Sequence, residues 1–405
     1  MPGVFPPAFV EKKWPAYKSL RSEELGTTAE NAGRLHPAFD WLSNKFGSQT
    51  VPVVTQSATH DELKEEMQEM TVSDAVFMMR QSASSGTVHY IKDWHLFLRL
   101  EQSSPPASQS PGGLYTVHPC FQDDWMNHPL LINPSTHEDK QAARTDDFRF
   151  CYAGQKGTQT HLHADVYTSY SWSTNLVGRK RWRMFPPDVS LFLRRFPPSS
   201  AASASSGKQV QEARTSQLAR NVDALDSGEH GKGWSRYHKA REKMIEFVQE
   251  PGETVFVPSN WYHEVLNLDD CISINHNWCN SVNLPSMFAA MEDEVEDVEK
   301  SLEDVKQMIQ MRYKAEDKEE AWRREWTETV QEVVKQDMGW AWQGFWKMVE
   351  VNLRPVAQPS VRPDWGFIHL RISDIVSRFI KRSDYPYLDE STLISLRACQ
   401  ELLRS

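Results

Sequence analysis

Short segments in which apolar and polar residues alternate run through the middle of the chain and predict β-strands. They are bounded by Gly, Pro-Pro or Pro-Gly, which are typical turn signals. Several short strands with this punctuation favour an antiparallel barrel or sandwich. The predicted strands are residues 148–152, 169–177, 180–185, 254–257, 264–268 and 272–278.

The two ends of the chain have a different pattern. The first hundred residues look mixed, with a helix expected at about residues 61–70. After the strands, Asn283 and Pro285 form a plausible helix start, and the residues that follow are highly charged. We therefore expect a mainly β protein with a mixed N-terminal flank and a helical C-terminal region.

The predicted C-terminal helix carries an apolar seam with alternating steps of three and four residues. We interpret the seam as a face packed on the barrel or on the later Trp-rich segment. The alternative is a homodimer formed through the C-terminal helices. The seam consists of Phe288, Met291, Val295, Val298, Leu302, Val305 and Ile309, and the Trp-rich segment contains Trp340, Trp342 and Trp346.

These patterns divide the chain into three regions. Residues 1–85 form the mixed α/β flank, 86–282 the β core and 283–405 the helical region. Within the core, residues 103–113 and 199–232 are rich in Ser, Pro and other polar or small residues. Because such composition buries too little apolar surface to offset the entropy of ordering, we expect two mobile insertions.

Composition and charge exclude several classes of protein. The chain has 405 residues, of which 39% are hydrophobic, and a formal net charge of −10. This charge argues against direct nucleic-acid binding and favours a basic protein segment as partner. We find no apolar run long enough for a membrane span and no secretory signal. The five cysteines are odd in number and contain no C-x-x-C, which indicates reduced thiols in the cytoplasm or, alternatively, the nucleus.

The segment His163-Ala-Asp165 is the first candidate for metal chemistry. On a strand, residues i and i+2 point to the same face, so both side chains could bind one ion. His263 follows a turn between two predicted strands and is the third candidate ligand. Two histidines and one carboxylate with open positions are typical of non-haem Fe(II) oxygenases, and zinc is the competing metal. A His161-x-His163 pair of the cupin type is less favoured, because no Glu follows at the usual distance.

Lys180 is the most informative single residue of the predicted strand 180–185. Alternation places it on the apolar face with Trp182 and Met184. The arginines of the opposite face look solvated; they are Arg179, Arg181 and Arg183. A lysine turned into a barrel must meet an anion or lose its charge. An internal carboxylate or a position at the rim would satisfy it, but a bound dicarboxylate is favoured beside a candidate iron site.

These residues and several motifs resemble the JmjC family of Fe(II)- and 2-oxoglutarate-dependent oxygenases. The order is His163-x-Asp165, Lys180, a Pro-Gly-Glu-x-x-Phe-Val-Pro-x-x-Trp-x-His263 motif and the segment 272–278. The resemblance covers about residues 40–290 and implies a double-stranded β-helix, the jelly-roll fold shared with cupins. Residues 86–282 would be its core.

The resemblance implies roles for individual residues. His163, Asp165 and His263 would bind Fe(II), and Lys180 would bind the distal carboxylate of 2-oxoglutarate. Further cosubstrate candidates are Tyr90, Thr160, Asn275, Asn277 and Ser173. For the last three, a structural hydrogen bond inside the barrel is an equally good explanation.

The resemblance also implies a reaction that uses O2. Segments 90–95, 147–154, 163–173 and 267–270 are most similar to family members that hydroxylate a lysine of the eukaryotic translation termination factor. That factor is therefore the expected protein substrate. Histone lysine demethylation is one alternative, although the zinc clusters that would support it are absent from the sequence. A catalytically silent binding module is the other.

Overall fold

The computed structural model describes most of the chain but leaves several segments undescribed. The described residues are 35–58, 63–82, 86–103, 115, 117–132, 147–195, 216–227, 234–314, 319–354 and 359–404. The expected insertion at 103–113 therefore lies outside the described residues except for Ser103, and the one at 199–232 lies outside them except for residues 216–227.

Thirteen strands occur in the described residues. They are β1 (Thr50–Ala58), β2 (Leu63–Thr71), β3 (Thr87–Trp94), β4 (Arg149–Gly154), β5 (Gln159–His163), β6 (Tyr170–Val177), β7 (Lys180–Phe185), β8 (Arg194–Arg195), β9 (Gln217–Leu218), β10 (Ile245–Gln249), β11 (Thr254–Val257), β12 (Tyr262–Asn267) and β13 (Cys271–Trp278).

Two antiparallel sheets contain nearly all of these strands. One sheet has the order β11-β6-β13-β4-β3-β1-β2, and the other has the order β10-β7-β12-β5. Trp182 and Met184 of the second sheet pack with Val255 and Val257 of the first in one buried cluster. The prediction of an antiparallel β core is confirmed, and the segments expected at 180–185 and 254–257 match β7 and β11 at both ends.

The expected helix at residues 61–70 is wrong, because the described part of this segment, residues 63–70, belongs to strand β2. It pairs antiparallel with β1 from Thr50 opposite Thr71 to Ala58 opposite Leu63. Its Glu, Lys and Met residues favour helix in isolation. Pairing with a neighbouring strand overrides this weak preference at the edge of the sheet.

Six α-helices precede the C-terminal region in the described residues. They are α1 (Ala38–Phe46), α2 (Val72–Gln81), α3 (Leu96–Ser103), α4 (Pro129–Ile132), α5 (Val222–Ser227) and α6 (Tyr237–Arg241). Thr71 begins α2 as an N-cap, because its side chain accepts a hydrogen bond from the Asp74 amide at 3.1 Å.

Residues 216–227 differ from the expectation of a mobile insertion. Ala219, Val222 and Leu225 are buried in a cluster with Phe185 and Leu193. The Val222 amide also donates to Glu264 Oε2 on β12 at 2.7 Å. Composition averaged over 199–232 hid these three apolar residues, of which Val222 and Leu225 lie about one turn apart on α5.

Truncating Leu225 should destabilise the protein if this segment packs as described. Leu225→Ala should lower the free energy of unfolding by about 2 kcal/mol or more, as is typical for a buried leucine. Urea unfolding followed by tryptophan fluorescence would measure it. Leu370→Ala is the matched control, because Leu370 is 69% exposed. Equal stability of the two variants would contradict the packing of this segment.

The C-terminal region is helical, as predicted. Its helices are α7 (Leu284–Ser301), α8 (Glu303–Tyr313), α9 (Glu319–Met338), α10 (Trp342–Leu353), α11 (Trp365–Phe379) and α12 (Glu390–Leu402). The expected start is confirmed, since Asn283 precedes α7 and Pro285 lies in its first turn.

The apolar seam is buried against the chain's own Trp-rich segment. Phe288, Met291, Val295, Val298 and Ile309 share one core cluster with the three tryptophans, and Leu302 and Val305 pack against it half-buried. The seam runs over two helices, because α7 ends at Ser301 and α8 begins at Glu303. Intramolecular packing thus accounts for the seam, and a homodimer remains only an expectation.

The chain divides into two compact units. The first contains residues up to 116 together with 149–165 and 171–276, and the second contains 117–148, 166–170 and 277–405. The first unit holds almost all of the two sheets, and the second holds the helices from α7 onward. Among the helices that the structure describes, none combines the length and the apolar character needed to cross a membrane.

Candidate active site

Two histidines from neighbouring strands face each other in the second sheet. Strands β5 and β12 pair antiparallel, with His163 directly opposite His263. The register shifts between His263 and Val265. The centroids of the two imidazole rings lie 4.2 Å apart. Strand pairing therefore brings together two candidate ligands that are far apart in sequence.

Asp165 completes a group of three potential ligands. One ligand atom from each of His163, Asp165 and His263 lies within 4.8 Å of the others. The strand β5 ends at His163, so Asp165 is presented by the loop after the strand rather than by strand alternation. Its position is fixed by Ser171, whose hydroxyl donates to Asp165 Oδ2 at 2.8 Å.

Backbone carbonyls orient both imidazoles. His163 Nδ1 lies 2.7 Å from the His161 carbonyl oxygen, and His263 Nδ1 lies 3.2 Å from that of Trp261. Because a carbonyl only accepts, each Nδ1 carries the proton and each Nε2 keeps a lone pair. Burial has the largest effect on the pKa of His163, and the nearby His263 has the next largest. Together they lower this pKa to about 4. The ring is then neutral at pH 7, which is the form that binds a metal.

The donor set fits a divalent transition metal with open coordination positions. Two imidazole nitrogens and one carboxylate oxygen converge, and each is held by a hydrogen bond to a neighbouring group. This combination is the facial arrangement of non-haem Fe(II) sites. His161 does not join it, because its Nε2 lies 2.9 Å from Glu65 Oε1.

Lys180 is a buried cation on the inward face of β7. It is only 2% exposed, and its Nζ donates to Ser273 Oγ at 2.8 Å. Among the described residues it forms no ion pair with a carboxylate. Burial lowers its pKa, whereas Cys271 and Cys151 raise it. An anion bound beside Lys180 would stabilise a charge that the described residues leave unbalanced.

The opposite face of β7 is less exposed than expected. The Arg183 side chain is only 8% exposed and pairs with Asp223, Glu246 and Glu264. The expectation of a solvated Arg183 is therefore wrong. The segment 216–227 supplies Asp223 and covers this face, so the strand is buried on both sides.

A short chain of hydrogen bonds leads away from Lys180. Ser273 Oγ donates to Asn275 Oδ1 at 3.0 Å, and Ser173 Oγ donates to the same oxygen at 3.1 Å. The structure thus brings Ser173 and Asn275 to the lysine through Ser273. Sequence reasoning missed Ser273, although its spacing of two from Asn275 on β13 places both on one face.

Tyr90 and Thr160 lie together on the same side of the barrel. Burial raises the pKa of the Tyr90 hydroxyl, whereas its hydrogen bond with Thr160 lowers it. The buried thiol of Cys271 is close enough to influence the pKa of both Tyr90 and Lys180. These contacts place the two hydroxyls in the neighbourhood of the lysine.

Asn277 belongs to the second compact unit rather than to this cluster. Its side-chain amide donates to Ser169 Oγ at 3.1 Å, and both residues lie in the second unit. This bond supports the structural alternative for Asn277.

Removing the hydroxyl of Ser273 should weaken cosubstrate binding only modestly. Ser273→Ala leaves the Lys180 ammonium without its described partner but keeps the charge, so we expect a two- to fivefold higher 2-oxoglutarate requirement. Steady-state titration of 2-oxoglutarate would measure this. Ser82→Ala, an alteration outside the cluster, is the control. An increase of tenfold or more would contradict the modest role that we assign to this hydroxyl.

Comparison with known proteins gives consistent matches. Residues 150–278 match the family described as "JmjC domain, hydroxylase". The mouse protein named 2-oxoglutarate and iron-dependent oxygenase JMJD4 is 32% identical over 311 residues, covering 76% of this chain and 62% of that protein.

Two further relatives have different names. The Arabidopsis thaliana protein named Arginine-specific demethylase JMJ20 is 34% identical over 279 residues, covering 67% of this chain and 53% of that protein. The Schizosaccharomyces pombe JmjC domain-containing protein 1 is 30% identical over 332 residues, covering 79% and 61%. The chain thus spans less than two thirds of the length of each of these relatives.

Proposed function

The chain belongs to the JmjC family, and from this premise we propose that it is an Fe(II)- and 2-oxoglutarate-dependent dioxygenase that hydroxylates a protein lysine. The observation that carries the proposal is the convergence of two oriented imidazoles and one carboxylate, together with a buried lysine that has no carboxylate partner among the described residues. A site built only for stability would pair that lysine with an acidic side chain.

Different residues of the first unit would bind the metal and the cosubstrate. His163, Asp165 and His263 would hold Fe(II), and Lys180, with the Tyr90 and Thr160 hydroxyls in its neighbourhood, would hold the distal carboxylate of 2-oxoglutarate. When bound, iron and 2-oxoglutarate supply the activation of O2, in which the cosubstrate becomes succinate and CO2 and one oxygen atom enters a C–H bond.

The protein prepares the site for that chemistry. The carbonyls of His161 and Trp261 fix the tautomer and angle of both imidazoles, and the Ser171 hydroxyl fixes the carboxylate. Preorganised ligands need no rearrangement when the metal binds. Ser173, Ser273 and Asn275 act as a hydrogen-bonded support for the lysine rather than as direct ligands.

The substrate is a lysine in the eukaryotic translation termination factor. Support comes from the resemblance of segments 90–95 and 163–173 to the family members that act on this factor. The net charge of −10 adds weak support, because it favours the approach of a basic segment.

An anaerobic titration separates an oxygenase from a silent binding module. Adding Fe(II) and then 2-oxoglutarate to the purified chain should produce the weak visible charge-transfer band of a chelated cosubstrate. A silent module would give no band.

Mass spectrometry then identifies the reaction. Incubation with the recombinant termination factor should add one oxygen atom to a lysine of the factor. Histone peptides that carry methyl-lysine or methyl-arginine form the second arm, which is motivated by the demethylase name of the Arabidopsis relative. Loss of a methyl group from a histone peptide, with an unmodified factor, would overturn the proposal in favour of demethylation.

A further inference from the structure

Strand β3 contains a bulge directly opposite Tyr152 of β4. Ile91 pairs with Ala153 and Trp94 pairs with Cys151, so residues 92–93 stand opposite one residue of the partner strand. Asp93 has a φ of 52°, in the left-handed region that aspartate tolerates better than most residues. Bulges of this kind redirect a side chain and are common beside active sites.

The bulge aims the Asp93 carboxylate at the Tyr152 hydroxyl. Tyr152 donates to Asp93 Oδ1 at 2.7 Å. Burial and the nearby Asp93 raise the pKa of Tyr152 well above its usual value, so the hydroxyl keeps its proton and remains a donor. Asp93 itself is exposed, and among the described residues it forms no ion pair. Tyr152 thus holds one carboxylate oxygen, and no cationic side chain in the described part of the chain pairs with the carboxylate.

Tyr152 connects this carboxylate to the candidate active site. It pairs across strands with Ser273, the hydrogen-bond partner of Lys180. Its ring centroid lies 5.9 Å from that of Tyr90, and the Asp165 charge contributes to its raised pKa. Asp93 therefore lies where an exposed surface meets the buried metal and cosubstrate residues.

We propose that Asp93, held by Tyr152, binds the ammonium group of the substrate side chain. This inference rests on the proposed function for the identity of that side chain as lysine. An alkylammonium can donate hydrogen bonds to the Asp93 carboxylate, whereas a quaternary ammonium has no proton to donate. Lys92, the other residue of the bulge, lies with its Nζ 6.0 Å from the Tyr90 ring centroid. The Asp93–Tyr152 pair thus favours a lysine ammonium that carries at least one N–H donor over a trimethylated one.

A small cation tests the subsite without the protein substrate. Saturation-transfer NMR titrations would compare n-pentylammonium with neutral 1-pentanol on the intact chain. The wild-type chain should prefer the ammonium at least tenfold, Asp93→Asn should remove the preference, and Tyr152→Phe should reduce it. Glu69→Gln, on the exposed part of β2, should leave it unchanged. Equal affinities for both probes in the wild-type chain, or a preference retained in Asp93→Asn, would overturn the inference.

The termination factor then separates this inference from the proposed function. Asp93→Asn should raise KM for the factor at least tenfold and leave the 2-oxoglutarate requirement within twofold of wild type. If the wild-type chain prefers pentylammonium but does not modify the factor, the substrate proposal fails and the cation subsite stands. If the wild-type chain modifies the factor and Asp93→Asn has the wild-type KM, the subsite is wrong.

Discussion

Replacing Asp165 with alanine should abolish turnover, with a decrease of at least about 100-fold, while the protein remains folded. The carboxylate is the only anionic member of the three-residue group His163, Asp165 and His263. Two imidazoles alone would bind Fe(II) weakly and would leave the metal with uncompensated positive charge. Succinate formation would measure turnover, and anaerobic Fe(II) titration would measure metal binding.

Asp188→Ala is the matched control for that experiment, because Asp188 is an exposed aspartate of the same unit that pairs with Lys243. Both variants should have circular dichroism spectra close to that of wild type, since Asp165 is only half-buried and lies in a loop. Turnover of Asp165→Ala at the wild-type rate would refute the ligand assignment, as would an active wild-type enzyme that contains only zinc.

Lys180→Ala should raise the 2-oxoglutarate requirement by at least tenfold. A charge-assisted hydrogen bond is worth about 1.5–3 kcal/mol, and each 1.4 kcal/mol corresponds to about tenfold in an equilibrium constant. Iron binding should survive, because Lys180 is not among the three converging ligands. Titration of 2-oxoglutarate at saturating Fe(II) would measure the effect.

An exposed lysine provides the comparison for Lys180→Ala. Lys156 lies in the same unit, and Lys156→Ala should leave the cosubstrate requirement within twofold of wild type. An unchanged requirement in Lys180→Ala would mean that Ser273 and the surrounding barrel satisfy the lysine, and the cosubstrate assignment would fall.

The β core could be predicted from sequence because its strands alternate and end at strong turn signals. Strands β7 and β11 were predicted at both ends, since Gly178 precedes one and Pro258 follows the other. Strand β2 was missed, because its Glu, Lys and Met residues carry a local preference for helix. Its conformation is decided by pairing with the preceding strand β1, which residue-by-residue propensity does not take into account.

The candidate ligands could be predicted because two histidines and one carboxylate are typical of a non-haem Fe(II) site. Their positions in space came from features that a single sequence hides. Asp165 lies beyond the end of β5 and depends on Ser171, and Ser273 becomes important only because β13 runs past Lys180. The bulge at Asp93 was missed for the same reason, because it is defined by its pairing with β4.

Strand β2 also affects whether two copies of this protein can pair through the edges of their sheets. It lies at the end of the seven-stranded sheet, and residues 64–69 are all exposed and mostly charged. A second chain adding its own β2 in antiparallel register would bring acidic side chains against acidic side chains, which disfavours pairing. The same charged residues that favour a helix in isolation thus disfavour aggregation through this edge of the sheet.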